Sequence, residues 1–207
     1  MHTFDKAYWE DHWAPAPTAQ AMPVNPYLLD ETRGLRAGTA LDAGCGTGTE
    51  ALWLAEQCWR VTGADISATA LKTAADRADA AGLNTQVEWI ETDVARWQPG
   101  RTWDLVITNY AHPDTGQLEF YQHIASWVSP GGTLLIVGHL PGSGHGHDRP
   151  ESATATPSAI ADVLTEPEWS IRSQYDNTRS VQAGDRTVEL HDAVVRAQRA
   201  RRLHSPA

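Results

Sequence analysis

The chain has 207 residues, of which 41% are hydrophobic and 20% charged, and its formal net charge is -10. This length and composition predict a single globular domain and exclude a disordered or fibrous chain, and no apolar run reaches the roughly 18 residues that a membrane span requires. Because nucleic-acid-binding proteins usually carry a strongly basic surface, the acidic charge also argues against a nucleic-acid partner.

Three peripheral features have ordinary interpretations. The opening sequence MHTFDKAYWEDHW lacks the basic and then apolar order of a secretion signal, so a soluble, cytoplasmic protein is the default expectation. Cys45 and Cys58 are expected to be free thiols. Each lies in a segment that is predicted to be buried or tightly turned, so a disulfide framework is not expected. The basic cluster within residues 196–202 is interpreted as a solvated tail in preference to a nucleic-acid-binding arm.

Residues 1–37 are expected to form a helical segment rich in aromatic side chains. The segment contains Phe4, Tyr8, Trp9 and Trp13. Packed over a cleft, these side chains would exclude water and give a flat wall to an aromatic or sulfur-containing substrate. An amphipathic helix that only covers the edge of a sheet would show the same pattern, so a lid and a cover both remain open.

Short apolar runs then alternate with helix-length segments, a pattern typical of a parallel sheet with crossover helices. The predicted strands are residues 39–43, 60–65, 86–92, 103–109, 132–139, 169–176 and 187–198. The predicted helices are residues 49–57, 67–81, 115–128 and 157–166, with N-caps at Ser67 and Thr156. Residues 38–139 thus form a central core, residues 140–156 a loop, and residues 157–199 a helix followed by an antiparallel strand pair with a turn over 177–185.

The strongest local signal is the stretch ALDAGCGTG at residues 40–48. A short apolar strand leads into closely spaced glycines, and a helix follows. Glycine permits positive φ angles and lets a ligand approach the backbone without a Cβ in the way. In this strand–turn–helix context the glycines predict a ligand site at the carboxyl end of the first strand.

Two details distinguish this turn from a dinucleotide fingerprint. The glycines are Gly44, Gly46 and Gly48, whereas the dinucleotide pattern requires glycine at the position of Thr49. Asp42, which precedes the first glycine, would repel a pyrophosphate and attract a cationic amino-acid group. A nicotinamide dehydrogenase is therefore disfavoured, and the ligand is expected to carry positive charge near the turn.

Two further acids follow the next two strands. Asp65 ends the second strand, where a carboxylate can accept both hydroxyls of a ribose, and Asp93 ends the third, placed to accept a hydrogen bond from an exocyclic amine such as that of adenine. Alone, each of the three acids is more simply a helix cap or loop residue. In combination with the glycine turn they favour a nucleoside-containing ligand.

The motifs ALDAGCGTG, GADIS, TDV, WDLVITNY and SPGGTLLIVGH together resemble the successive motifs of class I S-adenosylmethionine-dependent methyltransferases, over roughly residues 38 to 139. The resemblance implies an α/β fold, a three-layer Rossmann-like architecture whose seven-stranded, mostly parallel sheet has an antiparallel last strand. It also implies S-adenosylmethionine as cofactor, with S-adenosylhomocysteine as its product. The residues implied in cofactor binding are Asp42, Ala43, Gly44, Cys45, Gly46, Gly48, Asp65, Ile66, Asp93, Val94, Thr108 and Asn109.

Within that class, EALWLAEQCWRVTGADIS at residues 50–67 is similar to bacterial small-molecule methyltransferases of the tellurite-resistance and thiopurine type. Thiopurine-type enzymes also open with an aromatic-rich helix, which Phe4, Tyr8, Trp9 and Trp13 resemble. The expected function is methyl transfer to an oxygen, sulfur or nitrogen atom of a small molecule by in-line displacement. The acceptor and the oligomeric state remain open.

Candidates for catalysis follow the fourth and fifth strands, because ligands bind outside the carboxyl ends of parallel strands. His112 and His139 lie there, and either imidazole could accept a proton near neutral pH. Each could equally be a loop histidine bonded to a backbone carbonyl. Tyr110 is a further candidate for lining the substrate site.

His145, His147 and Asp148, with His139 upstream, form a second histidine group. On a loop rich in glycine this spacing is compatible with zinc but does not resemble a closed structural set, so a polar surface loop is favoured and no metal is expected.

Two other functions compete with the methyltransferase. A nucleic-acid methyltransferase of the amino-group type would have prolines after the fourth strand, and Asn109-Tyr110-Ala111-His112-Pro113 lacks them between its polar and aromatic residues. A protein that binds the cofactor as a sensed ligand and catalyses nothing would have the same pocket, so it stays open.

Overall fold

The computed structural model describes residues 4–14, 23–141, 153–183 and 186–201, and a seven-stranded sheet organises this part of the chain. The strands are β1 Thr39–Ala43, β2 Arg60–Asp65, β3 Val87–Glu91, β4 Trp103–Asn109, β5 Val128–His139, β6 Trp169–Ala183 and β7 Arg186–Arg199. The helices are α1 Lys6–Trp13, α2 Pro26–Glu31, α3 Thr49–Glu56, α4 Ala68–Ala80, α5 Gln117–Ala125 and α6 Pro157–Asp162.

The strands lie in the order β3-β2-β1-β4-β5-β7-β6. The first five are parallel to their neighbours, and β7 inserts antiparallel between β5 and β6. The direction of the chain therefore reverses only in the C-terminal hairpin. This is the α/β, Rossmann-like sheet with an antiparallel last strand that the sequence predicts.

Apolar side chains cover both faces of the sheet, which makes three layers. On one face the core includes Tyr27 and Leu28 of α2 with Leu54 of α3, and on the other Phe120 of α5 and Ile160 of α6. Burial of such side chains stabilises a fold by about 1.5–3 kcal/mol each. Because both faces are covered, the parallel strands read as nearly continuous apolar runs, which is why the sequence identifies them well.

The helix starts follow local chemistry. Ser67 accepts a hydrogen bond from the amide of Ala70, and Thr156 accepts one from the amide of Ala159. Both therefore act as the predicted N-caps, and Pro157 occupies the first turn of α6, where its missing N–H leaves no donor unpaired.

Several predicted boundaries are wrong. The expected turn over residues 177–185 is mostly strand, since β6 runs to Ala183 and its residues pair with β7 from Asn177 opposite Asp192 to Ala183 opposite Arg186. The helix predicted over 115–128 ends at Ala125, because Val128 is buried and begins β5 beside Trp103. The helix predicted over 157–166 ends at Asp162, and the short α2 lies within the predicted helical segment 1–37, although its bounds were not predicted.

The basic residues at the C-terminal end are partly structural, which corrects their interpretation as a solvated tail. Arg196 of β7 donates to the backbone carbonyl of Glu31 at 2.6 Å and pairs with its carboxylate at 3.5 Å. The same buried carboxylate accepts hydrogen bonds from Ser173 and Tyr175 of β6. This polar group fastens α2 to the antiparallel end of the sheet.

No helix among the described residues is long and apolar enough to cross a membrane.

Candidate active site

The carboxyl ends of the parallel strands meet at one edge of the sheet, and the predicted site residues lie along it. Asp42 and Ala43 end β1, Asp65 ends β2, Asn109 ends β4 and His139 ends β5. Parallel pairing aligns these ends, with Ala43 opposite Ala64 and Asn109 opposite Val137. The topology therefore collects residues that are up to 97 positions apart in the chain into one cleft.

The glycine turn between β1 and α3 adopts the backbone that its sequence predicts. Gly44, Gly46 and Gly48 have φ angles of 77°, 51° and 78°, a region that side chains with a Cβ rarely adopt. A Cβ on Gly48 would also lie 2.5 Å from the ring of Trp89, and one on Gly46 would lie 2.9 Å from the ring of Trp13. Glycine is thus required at these positions by the protein itself, apart from any ligand.

Asp42 is the most unusual carboxylate of the cleft. It is 1% exposed, and its Oδ2 atom has no hydrogen-bond partner within the described chain. Burial raises its pKa well above the ordinary value, and the neighbouring Glu50 and Asp65 raise it further by repulsion. A carboxylate held in this way favours a cationic or hydrogen-bond-donating ligand, which would satisfy the open oxygen.

Glu50 belongs to the same acidic group, and the sequence reasoning missed it. It lies in the first turn of α3, and one of its oxygens accepts a hydrogen bond from the amide of Asn25. Burial raises the pKa of Glu50 as well. Its position two residues after Gly48, on a helix that starts at the cleft, is the signal that would have identified it.

Asp65 accepts hydrogen bonds from the backbone of the glycine turn and from the backbone at the start of α4. One of its oxygens accepts from the amide of Gly46 at 2.8 Å and the other from the amide of Ser67 at 2.9 Å. Its pKa is raised, because burial outweighs these hydrogen bonds. Since each carboxylate oxygen can accept a second hydrogen bond, both remain able to receive a ligand hydroxyl.

Asp93 is placed differently from the other two acids. Its oxygens accept from the amide of Ala95 and from the Arg96 guanidinium, which also pairs with Asp114. Its carboxylate therefore shapes the loop after β3, as a loop acid does, and its predicted adenine contact is not tested by this geometry. Val94 beside it packs against the apolar core.

The ends of β1 and β4 are tied together by polar contacts. The hydroxyl of Thr108 donates to the carbonyl of Ala43 at 2.9 Å, and the side chain of Asn25 donates to that of Asn109 at 3.1 Å. The Nδ2 atom of Asn109 is buried without a hydrogen-bond partner in the described chain. Like Asp42, it presents an unused polar atom at this edge of the sheet.

Cys45 and Ile66 complete the predicted cofactor-binding set. Burial raises the pKa of the Cys45 thiol well above its ordinary value, and the charges of Asp42 and Asp65 raise it further. Cys45 is therefore a neutral thiol at physiological pH. Ile66 follows Asp65 and is half-buried at the start of the loop before α4.

The three catalytic candidates lie together in a column of nearly parallel rings. Tyr110 stacks on His139 with ring centroids 4.5 Å apart, and His139 on His112 at 5.4 Å. Beyond His112 the column continues to Trp9 and Phe4 of the N-terminal segment, at 6.4 and 5.4 Å. Tyr110 has a φ angle of 54°, so the chain turns sharply there and brings the loop after β4 against the end of β5.

Helix α1 touches the cleft at two places. Trp9 stacks on His112 of the ring column, and the ring of Trp13 lies over Gly46 of the glycine turn. Tyr8 packs within the helix, edge-on to Trp9. The three residues predicted as a lid are therefore part of the element that covers this cleft.

Two ionic contacts hold α1 in place. Glu10 accepts hydrogen bonds from the amides of Ala68 and Thr69 and from the hydroxyl of Ser67, at the start of α4. Lys6 pairs with Glu91 at the end of β3. The sequence contains no motif for these contacts, because they join residues more than 50 positions apart.

The second histidine group, His145, His147 and Asp148, lies outside the described residues. Within the described ranges no three histidine, cysteine or acidic side chains are arranged so that they could hold a metal ion.

Comparison with known proteins agrees with this geometry. Residues 40–132 match the family model described as a methyltransferase domain. A probable thiol methyltransferase 2 from Arabidopsis thaliana is 28% identical over 136 residues, which cover 62% of this chain and 60% of the relative. An uncharacterized methyltransferase from Mycobacterium tuberculosis is 33% identical over 112 residues, 53% of this chain and 55% of the relative. The chain thus spans little more than half the length of these relatives.

Among solved structures, the N-methyltransferase NodS from Bradyrhizobium japonicum WM9, in complex with S-adenosyl-l-homocysteine, has a TM-score of 0.70 at 19% identity, covering 94% of this chain and 97% of NodS. TehB from Haemophilus influenzae has a TM-score of 0.70 at 16% identity, covering 93% of this chain and 67% of TehB. The sheet order and these likenesses show the class I, Rossmann-like methyltransferase fold, and residues 40–132 are similar to a methyltransferase domain. The predicted subfamily stays a prediction, since these structural likenesses bear on the fold alone.

Proposed function

We propose that this protein transfers a methyl group from S-adenosylmethionine to an oxygen, sulfur or nitrogen atom of a small molecule. The observation that carries the proposal is the buried Asp42 carboxylate, with an unused oxygen, directly before a turn of three glycines with positive φ. A class I methyltransferase domain match over this turn supports the same cofactor, as does a structural neighbour that holds S-adenosylhomocysteine.

The charge of the cleft fits a cationic cofactor better than a dinucleotide. Burial raises the pKa of Asp42, and repulsion from Glu50 and Asp65 raises it further. A pyrophosphate would add negative charge to this group, whereas the ammonium and sulfonium of S-adenosylmethionine would relieve the repulsion. When bound, this cofactor supplies an activated methyl group on a sulfur that is already a good leaving group.

The residues of this chain would then mainly position the acceptor and exclude water. Alignment of that kind is worth on the order of 7–11 kcal/mol, so a base is needed only when the attacking atom must lose a proton. His139 and His112 lie in the ring column on the substrate side of the cleft, where either could receive that proton. Tyr110 would form part of the wall against which the acceptor rests.

The small-molecule acceptor is supported by the aromatic rings that lie together beside the cleft and by the similarity to a protein named as a probable thiol methyltransferase. The acidic charge of the chain favours such an acceptor over a nucleic acid. A protein that only senses the cofactor would bind it with the same residues, and turnover with some acceptor distinguishes the two functions.

The first test is calorimetric titration with S-adenosylmethionine and, separately, with NADH. We expect micromolar binding of the first ligand alone, and loss of at least about tenfold in affinity in Asp65→Ala, since a carboxylate hydrogen bond contributes roughly 1.5–3 kcal/mol. Asp76→Ala is the matched control, because Asp76 is an exposed acid on α4 that pairs only with Lys72. Binding of NADH, or no binding of S-adenosylmethionine, would overturn the proposal.

The variant Glu10→Gln distinguishes the two possible roles of α1, a lid that opens over the cleft and a cover that only shields the sheet. A lid held at the start of α4 predicts that the variant releases bound S-adenosylhomocysteine several-fold faster with an unchanged melting temperature, which stopped-flow fluorescence of the α1 tryptophans would measure. Asp11→Asn is the control, because Asp11 is exposed on the same helix. An unchanged release rate with a lower melting temperature would show a cover instead.

The same contact sets a pH dependence. Hydrogen bonds from Thr69, Ala68 and Ser67 lower the pKa of Glu10 to about 2. Because the pKa of Glu10 is lowered, its contact with α4 has its full strength when the pH is above 4.5, the ordinary pKa of a glutamate. The contact is lost as the pH falls from there toward 2. Release in the wild type should therefore stay slow down to about pH 4 and accelerate only below it.

A further inference from the structure

A buried polar network lies beside the ring column, on β6 and β7. Its centre is Asp192, whose side chain is fully buried. The Oδ2 atom of Asp192 accepts hydrogen bonds from Arg179 at 2.8 Å and from the hydroxyl of Tyr27 at 3.0 Å. Arg179 also donates to the hydroxyl of Tyr110 at 2.9 Å, and Asn177 donates to Tyr27. The network thus reaches the wall of the substrate side.

Asp192 is directly opposite His139 in the antiparallel pairing of β5 with β7. Side chains of directly opposite residues lie on the same face of a sheet, with Cβ atoms about 5 Å apart. The carboxylate of Asp192 therefore lies on the same face of the sheet as the imidazole, and the Tyr110 ring that stacks on His139 is itself held by Arg179.

The two oxygens of the Asp192 carboxylate differ in their hydrogen bonding. Oδ1 of Asp192 is buried and accepts no hydrogen bond from the described residues, although the side chain is completely withdrawn from solvent. A buried carboxylate oxygen is destabilising unless a donor or positive charge compensates for it. Arg179 and Tyr27 both donate to Oδ2. A positive charge that forms nearby would therefore be stabilised by Oδ1.

We propose that Asp192 is a positioning residue for His139, orienting the imidazole and stabilising its protonated form while methyl transfer proceeds. This inference rests on the proposed function and deepens it by selecting His139 over His112 as the proton acceptor. His112 stacks on His139, lies against Phe4 and against Trp9 of α1, and is not paired with Asp192 across the strands.

The proposed step balances simply. The attacking atom of the acceptor forms a bond to the methyl carbon, the carbon–sulfur bond of the sulfonium breaks with its electron pair going to sulfur, and the proton of the attacking atom passes to His139. Asp192 takes no proton in this step and faces the new imidazolium charge. Carboxylate–histidine pairs in hydrolases work by this division of roles.

Charged and titratable groups face His139 from each neighbouring element. Tyr110 and His112 lie on the loop after β4, Asp192 on β7, and Arg179 on β6, where it reaches His139 through Asp192 and Tyr110. The hydroxyl of Tyr121 on α5 lies beside Gly138. Of these groups Asp192 carries negative charge and Arg179 positive charge, so their removal should shift the protonation of His139 in opposite directions.

The test follows the protonation midpoint of the His139 ring by NMR in the free protein, with the signal assigned from a His139→Gln variant. In Asp192→Asn the midpoint should fall by about one pH unit, because an attractive charge is lost. In Arg179→Gln it should rise, because the Asp192 charge is no longer offset. Asp176→Asn, an exposed acid on the same strand as Arg179, is the matched control and should shift nothing.

Activity gives the second readout, with the best acceptor from a panel of thiols, phenols and amines. We expect Asp192→Asn to lower kcat at least about tenfold and to move the acidic limb of its pH profile to lower pH, with S-adenosylmethionine affinity retained. A residue that only supports the fold would lower the rate equally at every pH. An unmoved midpoint in both variants would overturn the inference.

The coupling between Asp192 and His139 can be tested separately from the proposed methyltransferase function. The NMR titration needs no cofactor, so it reports the coupling between Asp192 and His139 even if S-adenosylmethionine does not bind. Should Asp192→Asn not fold, Arg179→Gln alone decides, since an unshifted or lowered midpoint in that variant contradicts the inference.

Discussion

Replacement of Asp42 by asparagine is expected to weaken S-adenosylmethionine binding about 100-fold, because a buried charge–charge contact with the cofactor is worth up to about 3 kcal/mol. The same change should raise the melting temperature of the ligand-free protein. Asp42 is 1% exposed, and burial together with Glu50 and Asp65 raises its pKa. Its ionised form is therefore a source of instability until a cation binds.

The sign of the pH effect follows from that raised pKa. A carboxylate whose pKa is higher in the folded state than its ordinary 3.8 reduces stability progressively as the pH rises above 3.8. The advantage of Asp42→Asn in the ligand-free protein should thus be larger at pH 8 than at pH 4, measured by thermal unfolding.

Asp76→Asn is the control for an exposed acid and should leave both binding and melting unchanged. A variant that lost stability at pH 8, or that bound S-adenosylmethionine normally, would show that the Asp42 oxygen is not held open for a cation.

The second large effect is expected from Arg196→Met, which should lower the free energy of unfolding by about 3 kcal/mol. Arg196 holds both the carbonyl and the carboxylate of Glu31, and these side chains are 25% and 10% exposed. Without the guanidinium, a mostly buried carboxylate keeps only the hydroxyls of Ser173 and Tyr175. For a chain of this size the melting temperature should fall on the order of 10 °C.

Two companion variants make this measurement specific. Arg33→Met breaks the exposed pair of Arg33 with Asp30, whose side chains are 80% and 67% exposed, and should change stability by less than about 1 kcal/mol. The double variant Glu31→Gln with Arg196→Met should recover about 1 kcal/mol or more of the loss, because no uncompensated charge remains. Equal losses in the Arg196 and Arg33 variants would contradict the role assigned to the Glu31 group.

The parallel half of the fold was predictable because its signals are local. Strands β1, β2 and β4 contain short apolar stretches, although β3 has two glutamates among its five residues, and Gly44, Gly46 and Gly48 predict the positive φ angles of the turn. The placement of the candidate cofactor-binding residues at one edge of the sheet could be predicted for the same reason. Its acids end successive strands, and parallel pairing brings strand ends together without further information.

The substrate side could be predicted only in part. His112, His139 and Tyr110 were identified from their positions after strands, and the structure brings them into one ring column. Asp192 and Arg179 were missed, because their importance depends on the register of β7 against β5 and of β6 against β7. The register of long polar strands leaves no periodic signal in the chain, and the same polarity made the end of β6 resemble a turn.

The β6–β7 hairpin extends beyond β5, the strand that pairs with it. β5 pairs with β7 from Asp192 to Gln198, so residues 178–183 and 186–191 extend past the end of β5. The glycine turn is built from the first half of the chain, whereas the ring column is bordered by Arg179 of this arm and by Trp9 of α1. Under the proposed function, the segment that binds the methyl donor is therefore separate from those beside the acceptor, and an engineer could exchange the arm to change the acceptor while the glycine turn stays intact.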